Sequence, residues 1–459
     1  MSYDTNNHES RALSESSGSW PMYFKDAVDE QMYYATHSPY MSKKGSRKKM
    51  KEASPLILNE MEQVCSSTQA TFNTINVLLG VGVLSLPYAF KCAGIVPGLC
   101  LLTVFSCMTN YTGKLLGKCI EYNPLVMRSY PDIGEAAFGS AGRVFISIAF
   151  FLELLTACVM FLILVGDNLN SIIKVDGSSA TTLTIIAFIA ILPSTWTKHL
   201  GLLSYFSILG ILSSIYLLAV LLYAGFSTDG GHSYIYPDES SIEFGIPSDS
   251  TTTFLMSIGL VMVGFSGHAV FPSIYSSMGT TERLVTFPKM LNQAYVIVYT
   301  VYGAIGICGY LMYGQETQKE VSLNLVKDSS LHGVVITSMI LMVALNPAMK
   351  FAITMNPIAM TLEEAFLKNN DSKMHHIVLR TLIGSVILVI AITVPDFARV
   401  TGILGSLCAM IVSAIFPCVC CLKLYPNMQF REKVLNYVII VFSTVMALSG
   451  TYAAFFSNI

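Results

Sequence analysis

Long apolar runs fill the chain from about residue 70 to its end, and short polar segments separate them. A hydrocarbon core of about 30 Å is crossed by about 20 helical residues. The pattern therefore predicts eleven transmembrane helices, here called spans 1 to 11. They cover residues 71–90, 95–117, 143–171, 181–198, 203–226, 252–278, 290–313, 332–362, 377–394, 400–421 and 435–457.

Two of these spans contain residues that interrupt a helix. In span 1, "NVLLGVGVLSLPYAF" places Gly82 five residues before Pro87. In span 6, "MVGFSGHAVFPSIYSSM" places Gly267 five residues before Pro272. Backbone outside a helix is tolerated at membrane depth only where it is buried in protein or lines a polar cavity. A single broken span would fit a glycine packing face or a proline kink equally well, but the second, matching break favours a binding site.

The positions of the two breaks predict an internal repeat. If spans 1–5 and 6–10 form two halves, spans 1 and 6 correspond, and an odd number of spans per half inverts the second half. Interrupted helices at matching positions of inverted repeats indicate the site of a secondary transporter. The fold class predicted is therefore an all-α polytopic membrane protein with a five-plus-five inverted repeat and broken helices 1 and 6.

A break in a helix exposes N–H groups on one side and carbonyl groups on the other, which suit the carboxylate and ammonium groups of a zwitterion. An amino acid is the natural substrate of that kind. We expect the binding residues to be Asn76, Gly80, Val81 and Gly82 in span 1, and Gly264, Phe265, Ser266 and Gly267 in span 6.

Composition and charge agree with a membrane protein and give its orientation. Of 459 residues, 53% are hydrophobic and 12% are charged, whereas soluble domains carry about 25% charged residues. If the N-terminus is cytosolic, the cytosolic loops hold twelve Lys and Arg residues and the opposite loops hold five. The positive-inside rule therefore predicts a cytosolic N-terminus and a lumenal or extracellular C-terminus.

The first 69 residues differ from the rest and predict a disordered cytosolic tail, followed by a transporter domain at residues 70–459. The tail is rich in Ser and Asn and contains the basic cluster "SKKGSRKKMK". This cluster serves either to hold the tail in the cytosol or to bind anionic lipid or a cytosolic partner. Nothing in the composition indicates a nucleic-acid partner.

Ionisable residues inside spans are candidates for function because their desolvation is costly. Glu153 in span 3 and His268 in the break of span 6 are the candidates for proton coupling; each fits a structural hydrogen bond as well. In span 8, Asn346 and Lys350 share a helical face. The Lys350 ammonium either occupies a place where a relative holds a cation or reaches out to the interface.

Several segments resemble the amino acid/auxin permease family, in particular its vacuolar amino acid transporter branch. They are "NVLLGVGVLSLPYAF", "ELLTACVMFLILVGDNL" at 153–169, "GFSGHAVFPSIYSSM" at 264–278, "FPKML" at 287–291 and "MNPIAMTLEE" at 355–364. The resemblance implies an eleven-span transporter with a central site between spans 1, 3, 6 and 8. It also implies amino acid transport, usually coupled to protons, and a vacuolar or lysosomal membrane, with the plasma membrane as an alternative.

These observations predict a secondary carrier of neutral amino acids that works by alternating access. A second hypothesis is an amino acid sensor that signals through the tail, and a third is a channel. No phosphate-binding Gly-Lys loop or nucleophile motif is present, so an enzyme is not expected. The scattered cysteines lack paired spacing, so we expect no metal site and no cofactor.

Overall fold

The computed structural model describes residues 66–123, 127, 129–173, 180–196, 207–226, 242–247, 251–278, 283–327, 331–367 and 373–456. The predicted tail lies outside the described residues as far as residue 65. Its last predicted residues, 67–69, form the first turn of a helix that Ser66 caps, because the Ser66 hydroxyl accepts a hydrogen bond from the Gln69 N–H at 3.2 Å.

The first half of the described chain consists of helices. They are α1 (Ser67–Leu78), α2 (Leu86–Ala93), α3 (Ile95–Glu121), α4 (Tyr130–Ile172), α5 (Ala180–Thr195) and α6 (Ser207–Phe226). A 3-10 turn at Val81–Ser85 joins α1 to α2. Span 1 therefore comprises α1 and α2, and spans 2 to 5 correspond to α3, α4, α5 and α6.

The second half continues in the same way. Its helices are α7 (Thr251–Met262), α8 (Phe271–Ser277), α9 (Arg283–Tyr313), α10 (Val321–Val326), α11 (Gly333–Phe366), α12 (Lys373–Thr393), α13 (Phe397–Ile403), α14 (Phe416–Leu424) and α15 (Phe430–Phe456). Span 6 comprises α7 and α8, and α9, α11, α12 and α15 are spans 7, 8, 9 and 11. Span 10 runs from α13 through a π-helix at Leu404–Ile415 into α14.

The molecule is a multi-pass membrane protein. Among the described residues, seven helices are long and apolar enough to cross a membrane, and the bent pair formed by α1 and α2 makes up to eight. Three shorter apolar helices, at Ala180–Thr195, Gly210–Phe226 and Thr251–Phe265, coincide with predicted spans 4, 5 and 6. The all-helical fold with broken helices is confirmed, whereas the count of eleven stays a prediction.

Helix α4 extends beyond the predicted span 3. It begins at Tyr130, whereas the apolar run begins at residue 143, and it is kinked at Gly139, where φ is +70°. The segment before the kink carries Asp132 and Glu135, so it lacks the apolar pattern of a span. The predicted start therefore marks the apolar segment and not the start of the helix.

Glycines bring α7 and span 10 into direct backbone contact. A Cβ atom added at Gly259 would overlap the carbonyl oxygen of Gly402, and one added at Gly405 would overlap the carbonyl oxygen of Gly259. Small residues allow this close approach of helices in membranes. The first half-helix of span 6 is thereby packed against span 10.

A buried ion pair joins spans 4, 8 and 9 at their predicted cytosolic ends. The Arg380 side chain, 1% exposed, donates from Nε to Glu363 Oε1 at 2.6 Å and from Nη1 to the Thr195 carbonyl oxygen at 2.7 Å. His376 Nδ1 lies 3.2 Å from Glu363 Oε2. These contacts fix the ends of three helices relative to one another.

Candidate functional site

The helix of span 1 is broken at Gly80. Helix α1 ends at Leu78, Gly80 takes an extended conformation with φ −88° and ψ −171°, and a 3-10 turn follows. The helical segments on either side differ in direction by 48°. Pro87 stands at the start of α2, where a proline costs no hydrogen bond. The predicted interruption is therefore present, and the proline opens the second half-helix.

Span 6 is broken in a similar way. Helix α7 gives way to a 3-10 turn at Val263–Phe265, and Ser266 is extended, with φ −78° and ψ 91°. The chain becomes helical again at Phe271, and Pro272 lies in the first turn of α8. In both spans the glycines lie in or before the break and the proline begins the next helix.

The two breaks pack against each other. A Cβ atom at Gly82 would lie 3.0 Å from Val263 Cγ1 and 3.4 Å from the Gly264 Cα. A Cβ atom at Gly267 would lie 3.0 Å from Leu78 Cδ2. The sequence predicted that the two breaks share one site, and the structure brings them into contact.

Tyr302 of span 7 connects the two breaks. Its hydroxyl lies within hydrogen-bonding distance of the Leu78 carbonyl oxygen in span 1 and of the Gly264 carbonyl oxygen, at 3.0 Å, in span 6. Both carbonyls lie where the helical hydrogen bonds stop, and buried carbonyl groups need a partner. The sequence analysis did not single out Tyr302, since one tyrosine in an apolar run carries no distinguishing signal.

Glu153 of α4 reaches the break in span 6. The Ser266 hydroxyl donates to Glu153 Oε1, while Glu153 Oε2 is buried and has no partner in the described structure. The carboxyl is 6% exposed. The structure therefore joins two predicted site residues, Glu153 and Ser266, and leaves one oxygen of the carboxyl group to bind a proton or a ligand.

The His268 ring contacts span 2, whereas Glu153 contacts Ser266 in the same break. Its Nε2 lies 3.1 Å from the Thr109 carbonyl oxygen and 3.0 Å from Thr112 Oγ1, and the ring is fully buried. The Thr112 hydroxyl is 2.6 Å from the Ser413 carbonyl oxygen, to which it donates. An Nε2–H that donates to Thr109 accounts for these contacts, whereas Nδ1 of the same ring is buried without a partner in the described structure.

Phe265 is packed between aromatic rings of span 7. Its ring centroid lies 6.0 Å from that of Tyr295, nearly parallel to it, and 5.6 Å from that of Tyr302, tilted at 64°. The side chain is 0% exposed. Its contacts are those of a packing residue that holds the break against span 7.

Lys350 of span 8 reaches the end of α1. Its Nζ donates to the Asn76 carbonyl oxygen at 3.4 Å. Asn76 lies in the last turn of α1, where the carbonyl groups carry partial negative charge. The ammonium group thus stabilises the end of the first half-helix.

Asn76 and Asn346 meet at Gly210 of span 5. A Cβ atom at Gly210 would lie 3.0 Å from both Asn76 Oδ1 and Asn346 Oδ1. Asn346 Nδ2 donates to Ser213 Oγ at 3.3 Å, whereas Asn76 Oδ1 is buried without a partner in the described structure. Spans 1, 5 and 8 therefore enclose a small polar region.

A small cavity lies beside this region. It is lined by Gly80, Val83, Leu84, Ser213, Ser214, Leu217, Val343 and Asn346. The sequence predicted Gly80 and Asn346 but placed the site between spans 1, 3, 6 and 8, and it missed span 5. Two adjacent serines one turn after Gly210 were the available signal. Among the other predicted site residues, Val81 has a side chain that lies outside the described part of the structure.

Comparison with known proteins gives a consistent result. Residues 63–456 match the profile of the family described as transmembrane amino acid transporter protein. The Arabidopsis thaliana protein named amino acid transporter AVT1D is 36% identical over 402 residues, which cover 85% of this chain and 70% of that protein. Amino acid transporter AVT1E of the same plant is 34% identical over 412 residues, covering 87% and 74%. The resemblance noted in the sequence is thus confirmed.

Solved structures show the same fold at low identity. MhsT in complex with L-phenylalanine matches with a TM-score of 0.57 and 11% identity, over 85% of this chain and 99% of that chain. The inward-facing conformation of Mhp1 matches with a TM-score of 0.56 and 11% identity, over 86% and 90%. The predicted transporter fold is confirmed by these similarities.

Proposed function

The chain belongs to the transmembrane amino acid transporter protein family, and we propose that it is a proton-coupled secondary carrier of neutral amino acids that works by alternating access. Membership of this family makes the chain an amino acid transporter, which is a membrane carrier and not an enzyme. The contact between the two broken spans, with the Glu153 carboxyl bound to Ser266 beside it, is the observation that carries the finer proposal.

The substrate binds where the two helices are interrupted. The first N–H groups of a helix have no partner within that helix, so the backbone after Gly80, at Val81 and Gly82, receives the α-carboxylate. The carbonyl side of the breaks, together with Ser266, receives the α-ammonium group. Gly264 and Gly267 let the backbone of span 6 lie close to span 7 and span 1, and Phe265 positions it.

The lining of the cavity supports a neutral substrate. Val83, Leu84, Leu217 and Val343 provide apolar contacts, and Ser213, Ser214 and Asn346 provide uncharged polar groups. None of these lining residues can neutralise a charged substrate side chain.

Glu153 carries the coupled proton. It is buried in a spanning helix, where an ionised carboxyl is costly, and its hydrogen bond to Ser266 connects its protonation to the conformation of the span 6 break. His268 is assigned the structural role because its Nε2 bonds to span 2. Proton binding at Glu153 thereby favours one arrangement of span 6 over another.

Lys350 takes the place of a bound cation. Its ammonium group contacts the end of α1, and the amide oxygens of Asn76 and Asn346 lie near the same region. A fixed positive charge there stabilises the broken span without an ion from solution. This supports coupling to protons alone.

The proposed location is a vacuolar or lysosomal membrane, with the N-terminus in the cytosol and the C-terminus in the lumen. The names of the plant relatives are those of amino acid transporters in the AVT1 group, and the resemblance noted in the sequence is to the vacuolar branch. The Lys and Arg distribution supports this orientation.

Flux in proteoliposomes tests the function directly. The purified chain is reconstituted, a pH gradient is imposed, and uptake of each of the twenty amino acids is measured. We expect saturable uptake of neutral amino acids that is lost when a protonophore removes the gradient. Uptake that does not saturate would indicate a channel, and binding without flux would indicate a sensor; either result would overturn the proposal.

A further inference from the structure

The connection between spans 7 and 8 is folded inward over the break of span 1. It contains a 3-10 turn at Gly314–Glu316 and the short helix α10. Val321 and Leu325 of α10 are 0% exposed. Helix α10 packs against the Val81–Ser85 turn and against α4, α6 and α11. In the proposed orientation this connection lies on the lumenal side of the break.

Glu320, at the start of α10, is buried and incompletely bonded. Its side chain is 1% exposed, and its Oε2 accepts a hydrogen bond from Asn168 Nδ2 of α4 at 2.7 Å. Glu320 Oε1 and Asn168 Oδ1 are buried without partners in the described structure. A buried carboxyl oxygen without a donor is costly, and a proton bound to this carboxyl group would remove that cost.

A second carboxyl group lies next to Glu320. Asp167, next to Asn168 at the end of α4, neighbours Glu320, and the charge of its carboxyl group acts on the Glu320 carboxyl. Two ionised carboxylates have only acceptors to offer each other, and one shared proton converts the contact into a hydrogen bond. Two neighbouring carboxyl groups in a buried site cannot both be ionised without a large cost in free energy.

The charged residues around this pair do not neutralise it. Lys319 precedes Glu320, but its Nζ is paired with Asp396 Oδ2 of span 10 at 2.7 Å. Lys91 of α2 donates to the Thr317 carbonyl oxygen on the same connection at 3.2 Å, and, among the described residues, Lys319 and Asp396 are the further charged groups that act on Asp167. The charges of Lys319 and Asp396 oppose each other, so the pair depends on its own proton.

We propose that Asp167 and Glu320 form a lumenal proton-binding site whose shared proton holds α10 closed over the break of span 1. This inference rests on the proposed function and orientation. With the proton in place, the carboxyl pair joins the span 7–8 connection to α4. Without it, two negative charges repel each other and α10 is released.

The environment of Glu320 agrees with this assignment. Burial raises the pKa of the Glu320 carboxyl well above its ordinary value, and the neighbouring Asp167 carboxyl raises it further. A raised pKa in the closed form means that closure is favoured at low pH and is weakened as pH rises through that pKa. An acidic lumen therefore favours the closed lumenal side, and the proton that closes it is distinct from the one on Glu153.

Hydrogen–deuterium exchange of the full chain in detergent micelles tests the proposal. Exchange of the amides in Val321–Val326 is followed at pH 5.0 and pH 7.5, with labelling times scaled to equal chemical exchange. We expect these amides to exchange severalfold faster at pH 7.5 after scaling, because the loss of the proton weakens the closed form. Equal protection at the two pH values would overturn the proposal.

Variants assign the effect to the pair. Glu320→Gln supplies a permanent donor to Asp167, so we expect slow exchange at both pH values. Asp167→Asn supplies a permanent donor to Glu320, and we expect the same slow exchange from it. Glu316→Gln is the matched control, since Glu316 is exposed on the same connection, and it must keep the wild-type response. A wild-type response in both Glu320→Gln and Asp167→Asn would refute the assignment.

Two further measurements separate the alternatives. If 100 mM NaCl or 5 mM CaCl₂ restores slow exchange at pH 7.5, a metal cation and not a proton occupies the pair, and the proposal is wrong. Counterflow of a labelled neutral amino acid is measured on the same preparation. Absent counterflow with an intact exchange response defeats the proposed function alone, whereas counterflow without that response defeats this inference alone.

Discussion

The Tyr302 hydroxyl lies 3.0 Å from the carbonyl oxygen of Gly264, and the same hydroxyl contacts the Leu78 carbonyl oxygen of the other broken span. One side chain of an unbroken helix thus satisfies backbone groups of both interrupted helices. The distance between the breaks is set by a residue that belongs to neither, and several consequences can be tested.

Removal of the Tyr302 hydroxyl should destabilise the site. In Tyr302→Phe the buried Gly264 carbonyl loses its donor, whereas the Leu78 carbonyl oxygen keeps the Gly80 N–H at 2.6 Å. An unsatisfied buried group costs about 1–3 kcal/mol. We expect a lower melting temperature and slower transport in reconstituted liposomes. Tyr299→Phe on the same helix is the control, because the Tyr299 hydroxyl contacts Thr103 at an exposed position. Equal effects of the two substitutions would contradict the role given to Tyr302.

Neutralising Glu153 should uncouple transport from protons. In Glu153→Gln the contact with Ser266 is retained while the titratable group is lost. A pH gradient of one unit supports about tenfold accumulation per coupled proton, and we expect this accumulation to vanish while exchange of internal and external substrate persists. Glu432→Gln, which removes an exposed partner of Lys118, should keep proton-driven uptake. Proton-driven accumulation by Glu153→Gln would exclude Glu153 as the carrier of the proton.

Truncation of Lys350 should create a requirement for a cation. In Lys350→Ala the Asn76 carbonyl loses a charged donor, a contact of the kind that contributes about 1.5–3 kcal/mol. We expect transport to fall by roughly tenfold or more at low salt and to recover in part with added NaCl. Lys114→Ala is the control, since Lys114 bonds to Asn292 at an exposed position. Wild-type transport by Lys350→Ala at every salt concentration would remove the surrogate role.

The Glu363–Arg380 pair should contribute far more to stability than an exposed pair. Breaking a buried ion pair by removing one partner costs about 3–5 kcal/mol. We therefore expect Glu363→Leu to lower the melting temperature strongly and Glu363→Leu combined with Arg380→Leu to recover part of the loss. Glu432→Leu removes the partner of Lys118, and the side chains of Lys118 and Glu432 are 41% and 42% exposed. Exposed pairs contribute about 0–1 kcal/mol. Similar losses at both pairs, measured by thermal unfolding, would argue against this account.

Gly259→Ala should disrupt the packing of span 6. The added methyl group would overlap the Gly402 carbonyl oxygen, and a rigid backbone atom cannot move aside as a side chain can. Overpacking of this kind costs about 1–3 kcal/mol, occasionally more. Gly303→Ala is the control, because its nearest neighbour would be Leu102 Cδ2 at 3.7 Å, an ordinary contact. We expect reduced yield of folded protein for the first variant only.

The sequence predicted the breaks of the fold because their cause is local. Gly82, Pro87, Gly267 and Pro272 act on their own segments, and the apolar context around them is visible along the chain. Glu153 is predictable for the same reason, since one carboxyl in an apolar run stands out. Helix ends were less well predicted, because α4 continues to Tyr130 through polar residues that carry no apolar pattern.

Contacts between distant segments were not predictable. Ser213 lines the cavity and Tyr302 joins the breaks, yet each is an ordinary residue in an apolar run. Glu320 and Asn168 are separated by 152 residues in sequence and meet only because the span 7–8 connection folds inward. The direction in which His268 points is likewise set by the packing of span 6 against span 2.

The contact of Gly259 with Gly402 and Gly405 has a mechanical consequence. Where backbone touches backbone, no side chain can change its rotamer to accommodate a displacement, so a tilt of α7 also displaces the start of span 10. The two segments move as one rigid unit, and the hinge on the span 6 side lies beyond α7, at the extended backbone of Ser266.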